Sequence, residues 1–187
     1  TQPGIILDEL NSYLSPEGVL FAPDPSTSNR GNVGGALGNN SCGAHSIMWG
    51  KTVDNVIEID AILSDGTKTT FGQLDDAALE SKMRSSSLEG SIYRNLFKIG
   101  EENRDLIVKK YPKIQRRVSG YNLDEFVTGN SFDMARFVVG SEGTLVAITK
   151  AKLKVVSIPK LKCLAVLHCN DLAESMEATV AAIETNP

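Results

Sequence analysis

A predicted β-hairpin at residues 57–71 constrains the fold of this chain of 187 residues more than any other segment. Along residues 57–63, apolar side chains at the odd positions alternate with two acidic residues and an isoleucine, the period of a strand with one buried face. Asp65-Gly66 follows directly, and this dipeptide between alternating segments is a strong hairpin signal. Residues 67–71 are therefore expected to return as the second strand of an antiparallel pair.

Helices are predicted before and after this hairpin. Apolar residues recur there at the spacing of an amphipathic helix, and a later stretch alternates lysine with apolar residues, like a strand with one wet face. The predicted helices are residues 6–14, 73–84, 91–110 and 132–137, and the predicted strands lie within residues 146–155. The fold class predicted is α+β, with a mainly antiparallel sheet flanked by helices.

The last part of the chain is predicted to start a second domain. Residues 162–169 have the pattern of a buried strand, and Asn170 or Asp171 can cap the helix that follows. The predicted domains are therefore residues 1–158 and the truncated start of another domain at residues 159–187. The first residue is Thr1 and no signal-peptide pattern follows it, so the chain is expected to be a piece of a longer protein.

Composition excludes several classes of function. Hydrophobic residues make up 41% and charged residues 22%, as in an ordinary soluble domain, and no apolar run reaches the length of a membrane span. The net charge of −4, without a basic block, lacks the electrostatic footprint of nucleic-acid binding. Three cysteines without a CxxC spacing favour a cytoplasmic setting, and the two histidines lie too far apart in sequence to indicate a metal site.

Residues 31–43 read GNVGGALGNNSCG, a neutral segment with five glycines. The glycine spacing fits neither the dinucleotide fingerprint GxGxxG nor the phosphate loop GxxxxGK[ST]. A bare loop of this kind can present backbone N–H groups to a bulky anionic cofactor, and a structural turn packed tightly against a sheet is the open alternative. GSEGT at residues 140–144 is a second small-residue turn, directly before a predicted strand.

The order of these features resembles the FAD-binding domain of the vanillyl-alcohol oxidase / p-cresol methylhydroxylase superfamily. In that family a proline–serine loop, a GG segment with an N-N-x-x-G turn, a stretch ending in Asp-Gly and a GSEGTL segment follow one another. Here they are Pro25-Ser26-Thr27, Gly34-Gly35, Asn39 to Gly43, Val56 to Gly66 and Gly140 to Leu145. RRVSGYNLDEF at residues 116–126 resembles the bacterial FAD- and iron–sulfur-containing dehydrogenases of D-lactate or D-2-hydroxyglutarate type.

The resemblance implies that residues 1–158 are the second subdomain of the FAD-binding domain, and that the remainder begins a substrate cap. It also implies that the proline–serine loop, the glycine-rich segment and the GSEGT turn contact FAD. The implied residues are Pro23, Asp24, Pro25, Ser26, Thr27, Asn29, Gly34, Gly35, Asn39, Asn40, Ser41, Cys42, Gly43, His45, Glu142, Gly143, Thr144 and Leu145. His45 is expected to make an ordinary hydrogen bond near the flavin or backbone rather than a covalent bond to the cofactor.

The resemblance implies no catalytic residue and no metal ligand in this chain. The family's other glycine-rich cofactor segment lies upstream, while its catalytic histidine and iron–sulfur cysteines lie downstream, so the chain alone is expected to bind FAD weakly or not at all. Arg116 and Arg117 could present a guanidinium fork to a substrate carboxylate. They could equally be surface arginines, and Arg117 could be an internal salt-bridge partner.

The implied function is that of an FAD-dependent oxidoreductase that oxidises a D-2-hydroxy acid, either D-lactate or D-2-hydroxyglutarate, by hydride transfer to flavin. Its electrons would pass to an iron–sulfur, quinone or cytochrome acceptor, and the protein would be cytoplasmic or peripheral to the inner membrane. Two alternatives stay open, because a fold supports many functions. One is another chemistry on the same domain, such as the NADPH-linked reductase of peptidoglycan precursor synthesis; the other is a flavin-binding module without catalysis.

Overall fold

The computed structural model describes residues 1–127 and 132–185, and all structural statements concern those residues. The helices are α1 (Leu7–Leu14), α2 (Val33–Asn39), α3 (Ser46–Trp49), α4 (Asp76–Arg84), α5 (Leu88–Glu102), α6 (Arg104–Lys110), α7 (Met134–Val138) and α8 (Leu172–Glu184). The strands are β1 (Val19–Leu20), β2 (Val56–Ile62), β3 (Lys68–Leu74), β4 (Phe132–Asp133), β5 (Ala147–Leu153) and β6 (Val156–Ser157). Short 3₁₀ turns occur at Ser15–Glu17, Thr52–Asn55 and Leu123–Phe126. The last two residues of the predicted second domain lie outside the described residues.

A four-stranded antiparallel sheet in the order β4-β3-β2-β5 forms the centre of the fold. The hairpin β2–β3 closes as predicted, because the Leu63 N–H donates to the Thr67 carbonyl at 2.9 Å and Gly66 takes a φ of 84° in the turn. A separate antiparallel pair joins β1 to β6. Together with the flanking helices, these pairings confirm the predicted α+β class.

A bulge at the start of β2 departs from the predicted alternation. Val56 pairs with Leu153 and Glu58 pairs with Lys152, so the intervening Ile57 faces no residue on β5. Two residues on one strand therefore oppose one on the other, which turns a side chain outward. Ile57 is 42% exposed in consequence, whereas Val56 is buried.

The hydrophobic core lies against the sheet under α5 and α7. α7 packs on both strands of the hairpin, and α5 packs beside α4 and the turn at Leu123–Phe126. Aromatic rings fill this layer: Phe126 stacks on Phe132 with 4.2 Å between ring centroids, and Tyr93 lies 5.8 Å from Phe132. The stacking anchors the segment that follows the loop at residues 111–121.

The single helix predicted over residues 91–110 is two helices. α5 begins at Leu88, three residues earlier than predicted, because Ser87 accepts a hydrogen bond from the Gly90 N–H at 3.2 Å as an N-cap. Asn103 then leaves the helical region with φ −118° and ψ 13°, which separates α5 from α6. α6 ends at Lys110, before Tyr111 and Pro112, as the proline predicts.

The strand predicted over residues 162–169 is wrong. These residues form no ladder with any strand in the described ranges, and Leu161 and Leu164 are 90% and 87% exposed. An apolar run becomes a strand only where another strand can accept its backbone hydrogen bonds. The helix after it is confirmed as α8, with Asp171 as the N-cap accepting from the Glu174 N–H at 2.9 Å.

Candidate cofactor site

The glycine-rich segment folds as helix α2 rather than as the bare loop predicted from its composition. Val33, Ala36 and Leu37 are buried at helical spacing, and their burial holds the turn against the core. Asn32 caps the helix by accepting from the Gly35 N–H at 2.6 Å. Gly34 allows close packing, because a Cβ there would lie 2.8 Å from the Pro3 Cβ.

The GSEGT turn packs directly against the C-terminal end of α2. The Gly140 N–H donates to the Leu37 carbonyl at 2.8 Å, and the Glu142 N–H donates to the Gly38 carbonyl at 2.9 Å. These bonds satisfy carbonyls at the end of the helix that have no partner within it. Two of the three predicted cofactor segments therefore form one continuous surface.

Backbone strain concentrates at this junction. Asn40 and Glu142, with φ of 51° and 53°, are the non-glycine residues with positive φ in the part of the chain that the structure describes. Asn40 ends α2 in the left-handed conformation, which asparagine tolerates better than glutamate does. Strained residues persist where the surrounding structure over-determines them, and such places are enriched in functional sites.

Asn40 is also fully buried and has an unused hydrogen-bond donor. Its Oδ1 accepts from the Val53 N–H at 2.9 Å, but its Nδ2 has no partner within residues 1–127 and 132–185. An unpaired buried amide costs about 1–3 kcal/mol. FAD carries several carbonyl and phosphate oxygens that accept hydrogen bonds, so the chemistry of this donor is compatible with that cofactor.

The proline–serine loop is clamped to the turn that follows α2. A Cβ on Gly43 would lie 1.9 Å from the Asp24 carbonyl oxygen, so the two backbones meet where only glycine fits. The His45 Nδ1 hydrogen-bonds the Asp24 carboxylate, and the Ser46 hydroxyl accepts from the Gly43 N–H at 3.0 Å. The His45 ring thus holds one predicted segment to another.

The loop at residues 111–121 lies across this surface and touches it at three points. The Gln115 Nε2 donates to the Ser46 carbonyl at 2.9 Å, beside α3. Arg116 approaches the glycine-rich segment, with its Nε 3.4 Å from the Cys42 Sγ. Tyr121 reaches the other segment through its hydroxyl, 2.8 Å from the Thr144 Oγ1.

The two adjacent arginines of this loop have different partners. Arg117 is an internal salt-bridge partner, one of the two alternatives left open for it, with its NH2 2.6 Å from both carboxylate oxygens of Asp124. Arg116 is exposed and points at the thiol of Cys42. Burial raises the pKa of the Tyr111 phenol, whose ring lies 4.9 Å from the Arg117 guanidinium.

Arg136, which the sequence did not single out, joins the turn at Leu123–Phe126 to the turn at Thr52–Asn55. It binds Glu125 through its Nε at 2.5 Å and Asp54 through its NH2 at 3.1 Å. Burial acts to lower the pKa of its guanidinium, but the hydrogen bonds and charges of these two carboxylates outweigh burial and hold the pKa above its ordinary value. Asn122, another residue missed, is buried and donates to the carbonyls of Arg136 and Val139.

The predicted residues form two groups within one connected surface. Asp24, Gly43 and His45 make up the clamp, while Asn40 and Glu142 make up the strained junction. Ser26, Thr27 and Asn29 are exposed at the far end of the proline–serine loop, whose backbone turns onto α1 through the Asp8 N–H and the Ser28 carbonyl at 3.1 Å. The N–H groups of Gly34 and Gly35 already donate within the fold, to the Pro3 carbonyl and the Asn32 Oδ1.

Two further properties of the described residues bear on the class of protein. None of their helices combines the length and the apolar composition that crossing a bilayer requires. No three side chains among His, Cys, Asp and Glu in residues 1–127 and 132–185 come together as metal ligands would. The three cysteines are free thiols.

The structure is an α+β domain in which the GSEGT turn is joined to the end of α2. Residues 1–72, less than half of the chain, match the protein family described as "FAD binding domain", so this part of the chain is similar to such a domain. The matched residues contain the clamp, α2 and most of the hairpin. This match supports the family resemblance for the motifs within residues 1–72, whereas the GSEGT turn and residues 116–126 lie outside it.

The names of the relatives are more specific than the description of the matched family. The chain is 36% identical over 163 residues to D-2-hydroxyglutarate dehydrogenase of Escherichia coli, covering 86% of this chain and 16% of that protein. It is 34% identical over its full 187 residues to the protein of the same name from Pseudomonas putida, of which it covers 19%. The chain therefore spans less than a fifth of the length of these relatives. A solved structure of alkyldihydroxyacetonephosphate synthase superposes with a TM-score of 0.49 at 21% identity, covering 86% of this chain and 21% of that one.

Proposed function

We propose that this chain is part of an FAD-dependent oxidoreductase that oxidises a D-2-hydroxy acid, either D-2-hydroxyglutarate or D-lactate. The observation that carries the proposal is the junction of α2 with the GSEGT turn, where Asn40 and Glu142 hold positive φ beside a buried, unpaired amide. The domain matched by residues 1–72 and the names of the relatives support the chemistry.

The residues of the clamp and the junction would hold one side of the cofactor. We propose that Asn39 to Gly43, with the exposed face of Glu142, Gly143 and Thr144, contact FAD, and that residues 23–29 contact its phosphates. Bound FAD would supply the acceptor for a hydride equivalent from the α-carbon of the hydroxy acid. The protein's part here is to bring its backbone close to the cofactor and to orient it.

The wider assignments rest on the resemblance and on the names of the relatives. We propose that the base which removes the hydroxyl proton, and an iron–sulfur cluster, lie in other parts of the whole protein. Electrons would reach that cluster, a quinone or a cytochrome. We also propose a cytoplasmic location, or a peripheral one at the inner membrane, which the free thiols of the chain support.

The test uses the full-length protein under anaerobic conditions. We expect it to carry FAD and to lose the visible absorbance of oxidised flavin on addition of D-2-hydroxyglutarate or D-lactate, while the L-enantiomers serve as matched controls. Reduction by NADPH but by neither acid would favour the reductase alternative. Reduction by none of them would favour a binding module without catalysis, and a colourless protein would contradict the assignment of FAD itself.

A further inference from the structure

A cavity of about 450 Å³ opens beside the flavin-facing surface, in the loop that follows α6. Its walls include Lys110, Arg116 and Arg117 together with the rings of Tyr111 and Tyr121. Cavities of this size, with apolar walls and a few polar groups, commonly bind small molecules. The cationic groups in the wall indicate that such a molecule would be an anion.

Arg117 is already neutralised in this cavity. Its NH2 makes two hydrogen bonds of 2.6 Å to the Asp124 carboxylate, and its NH1 donates to the Asn122 Oδ1 at 3.3 Å. Only 11% of its side chain is exposed. A guanidinium already paired in this way with a protein carboxylate has little charge to offer a ligand.

Arg116 is in the opposite state. Its Nε contacts the Cys42 Sγ at 3.4 Å, and no carboxylate of the described residues lies within ion-pair distance of it. Sulfur is a weak acceptor, so this contact orients the guanidinium without neutralising it. The remaining N–H donors of the planar fork are free to bind a carboxylate in two places at once.

The position of Arg116 links the cavity to the proposed cofactor surface. Cys42 belongs to the turn at residues 39–43. This turn follows the C-terminal end of α2, and we assign it to the flavin-binding surface. A carboxylate held by Arg116 would place the carbon next to it close to that turn. The α-carbon of a 2-hydroxy acid is directly bonded to its carboxylate, so this placement suits a short acid whose α-hydrogen must reach the cofactor.

We propose that Arg116, and not Arg117, binds the α-carboxylate of the substrate in this cavity, an inference that rests on the proposed function. Arg117 supports the wall of the cavity through Asp124. The adjacent arginines, equivalent in the sequence, therefore have separate tasks: one binds an external carboxylate and the other an internal one.

The test compares Arg116→Gln with Arg116→Lys and with the control Lys113→Gln in the full-length protein. Lys113 is exposed in the same loop and does not line the cavity, so its variant removes the same charge elsewhere. We expect Arg116→Gln to raise KM for the hydroxy acid about 10–100-fold, with a smaller change in kcat, because a charge-assisted pair is lost. Arg116→Lys should recover part of that loss, since it keeps the charge without the fork, and Lys113→Gln should match the wild type.

A second readout, the dissociation constant of oxalate measured by calorimetry, does not depend on turnover. Oxalate should bind the wild type and Lys113→Gln alike and bind Arg116→Gln at least 10-fold more weakly. If hydroxy acids reduce the wild-type flavin but the KM and oxalate affinity of both Arg116 variants stay within about 3-fold of wild type, the inference is overturned. If no hydroxy acid reduces the wild-type flavin, the proposed function fails, and the oxalate titration alone then decides whether Arg116 forms a carboxylate site.

Discussion

At the scale of single residues, the contact between Gly43 and Asp24 sets the geometry of the clamp. The missing side chain lets the Asp24 carbonyl approach a position that any Cβ would occupy, and the same aspartate binds the His45 ring. The clamp therefore depends on one absent atom and on two hydrogen bonds from His45 to the Asp24 carboxylate. Glycine is therefore required at position 43 by the contact with Asp24, whether or not a ligand is bound.

Gly43→Ala is expected to open the clamp. The new Cβ would lie 1.9 Å from the Asp24 oxygen, so the backbone must move, and overpacking of this kind costs about 1–3 kcal/mol of the free energy of unfolding. Urea denaturation of the 187-residue chain measures the loss. Gly4→Ala is the matched control, because a Cβ there meets nothing within 4 Å, and its effect should stay within about 0.5 kcal/mol. Equal effects of the two substitutions would show that the close approach does not constrain the turn.

At this scale, the sequence indicated which segments have closely packed backbone, but it did not indicate which residues pack against them. The glycines indicated backbone that something approaches closely, and at Gly34 and Gly43 the approaching groups are Pro3 and Asp24. Composition tells which positions lack a Cβ, but only the tertiary fold decides what fills the space. The same holds for Arg116 and Arg117, whose separate partners, Cys42 and Asp124, depend on how the loop closes.

At the scale of elements, Arg136 joins three pieces of secondary structure. From α7 it reaches Glu125 in the turn before β4 and Asp54 in the turn before β2, while its own N–H bonds the Asp133 cap. Its side chain is 29% exposed and that of Glu125 is 19% exposed, so these pairs are partly shielded from water. Partial burial makes the pairs stronger than surface pairs and makes the loss of one partner more costly.

Arg136→Met is expected to lower the free energy of unfolding by about 1.5–3 kcal/mol, because it leaves the half-buried Glu125 carboxylate without its ion-pair partner and also removes the exposed pair with Asp54. Lys152→Met is the control: it breaks an exposed pair with Glu58 at 3.5 Å and should cost about 0–1 kcal/mol. Thermal and urea denaturation of the same chains give both values. If Arg136→Met lowers the free energy of unfolding no more than the control does, the ion pairs of Arg136 with Glu125 and Asp54 do not help to hold these turns together.

The elements that the sequence predicted correctly are those governed by local chemistry. The hairpin follows from alternation and the Asp65-Gly66 turn, and α8 follows from its Asp171 cap. The bulge at Ile57 and the network of Arg136 were not predictable, because each depends on residues far away in sequence, 82 positions in the case of Asp54. The strand expected over residues 162–169 was wrong for the same reason: whether an apolar segment forms a strand depends on another strand that pairs with it, and that strand can lie far away in the sequence.

At the scale of the whole molecule, the C-terminal part contributes nothing to the core described here. The members of the buried core all precede Ile158, whose N–H bonds the Gly18 carbonyl at 2.9 Å. α8 exposes an apolar face at helical spacing, and its residues are Leu172, Met176, Val180 and Ile183. This separation supports the domain boundary proposed after residue 158.

Removal of residues 159–187 is therefore expected to leave the melting temperature within about 2 °C of that of the full 187-residue chain, because few buried contacts are lost. Calorimetry of the two chains is the measurement. A chain ending at Val146, which also lacks β5, is the control and should not fold cooperatively, since β5 pairs along most of β2. A large fall in melting temperature for the shorter truncation would place the boundary elsewhere.

The bonds between α2 and the GSEGT turn join positions roughly a hundred residues apart in the sequence. Forming them requires closure of a long loop, and non-local closure of this kind occurs late in folding. The complete surface assigned to the flavin can therefore exist only after the GSEGT turn has reached α2. During synthesis the growing chain would have only the clamp until the GSEGT turn is made, so the cofactor would bind best to chains in which both parts are present and would stabilise them by mass action.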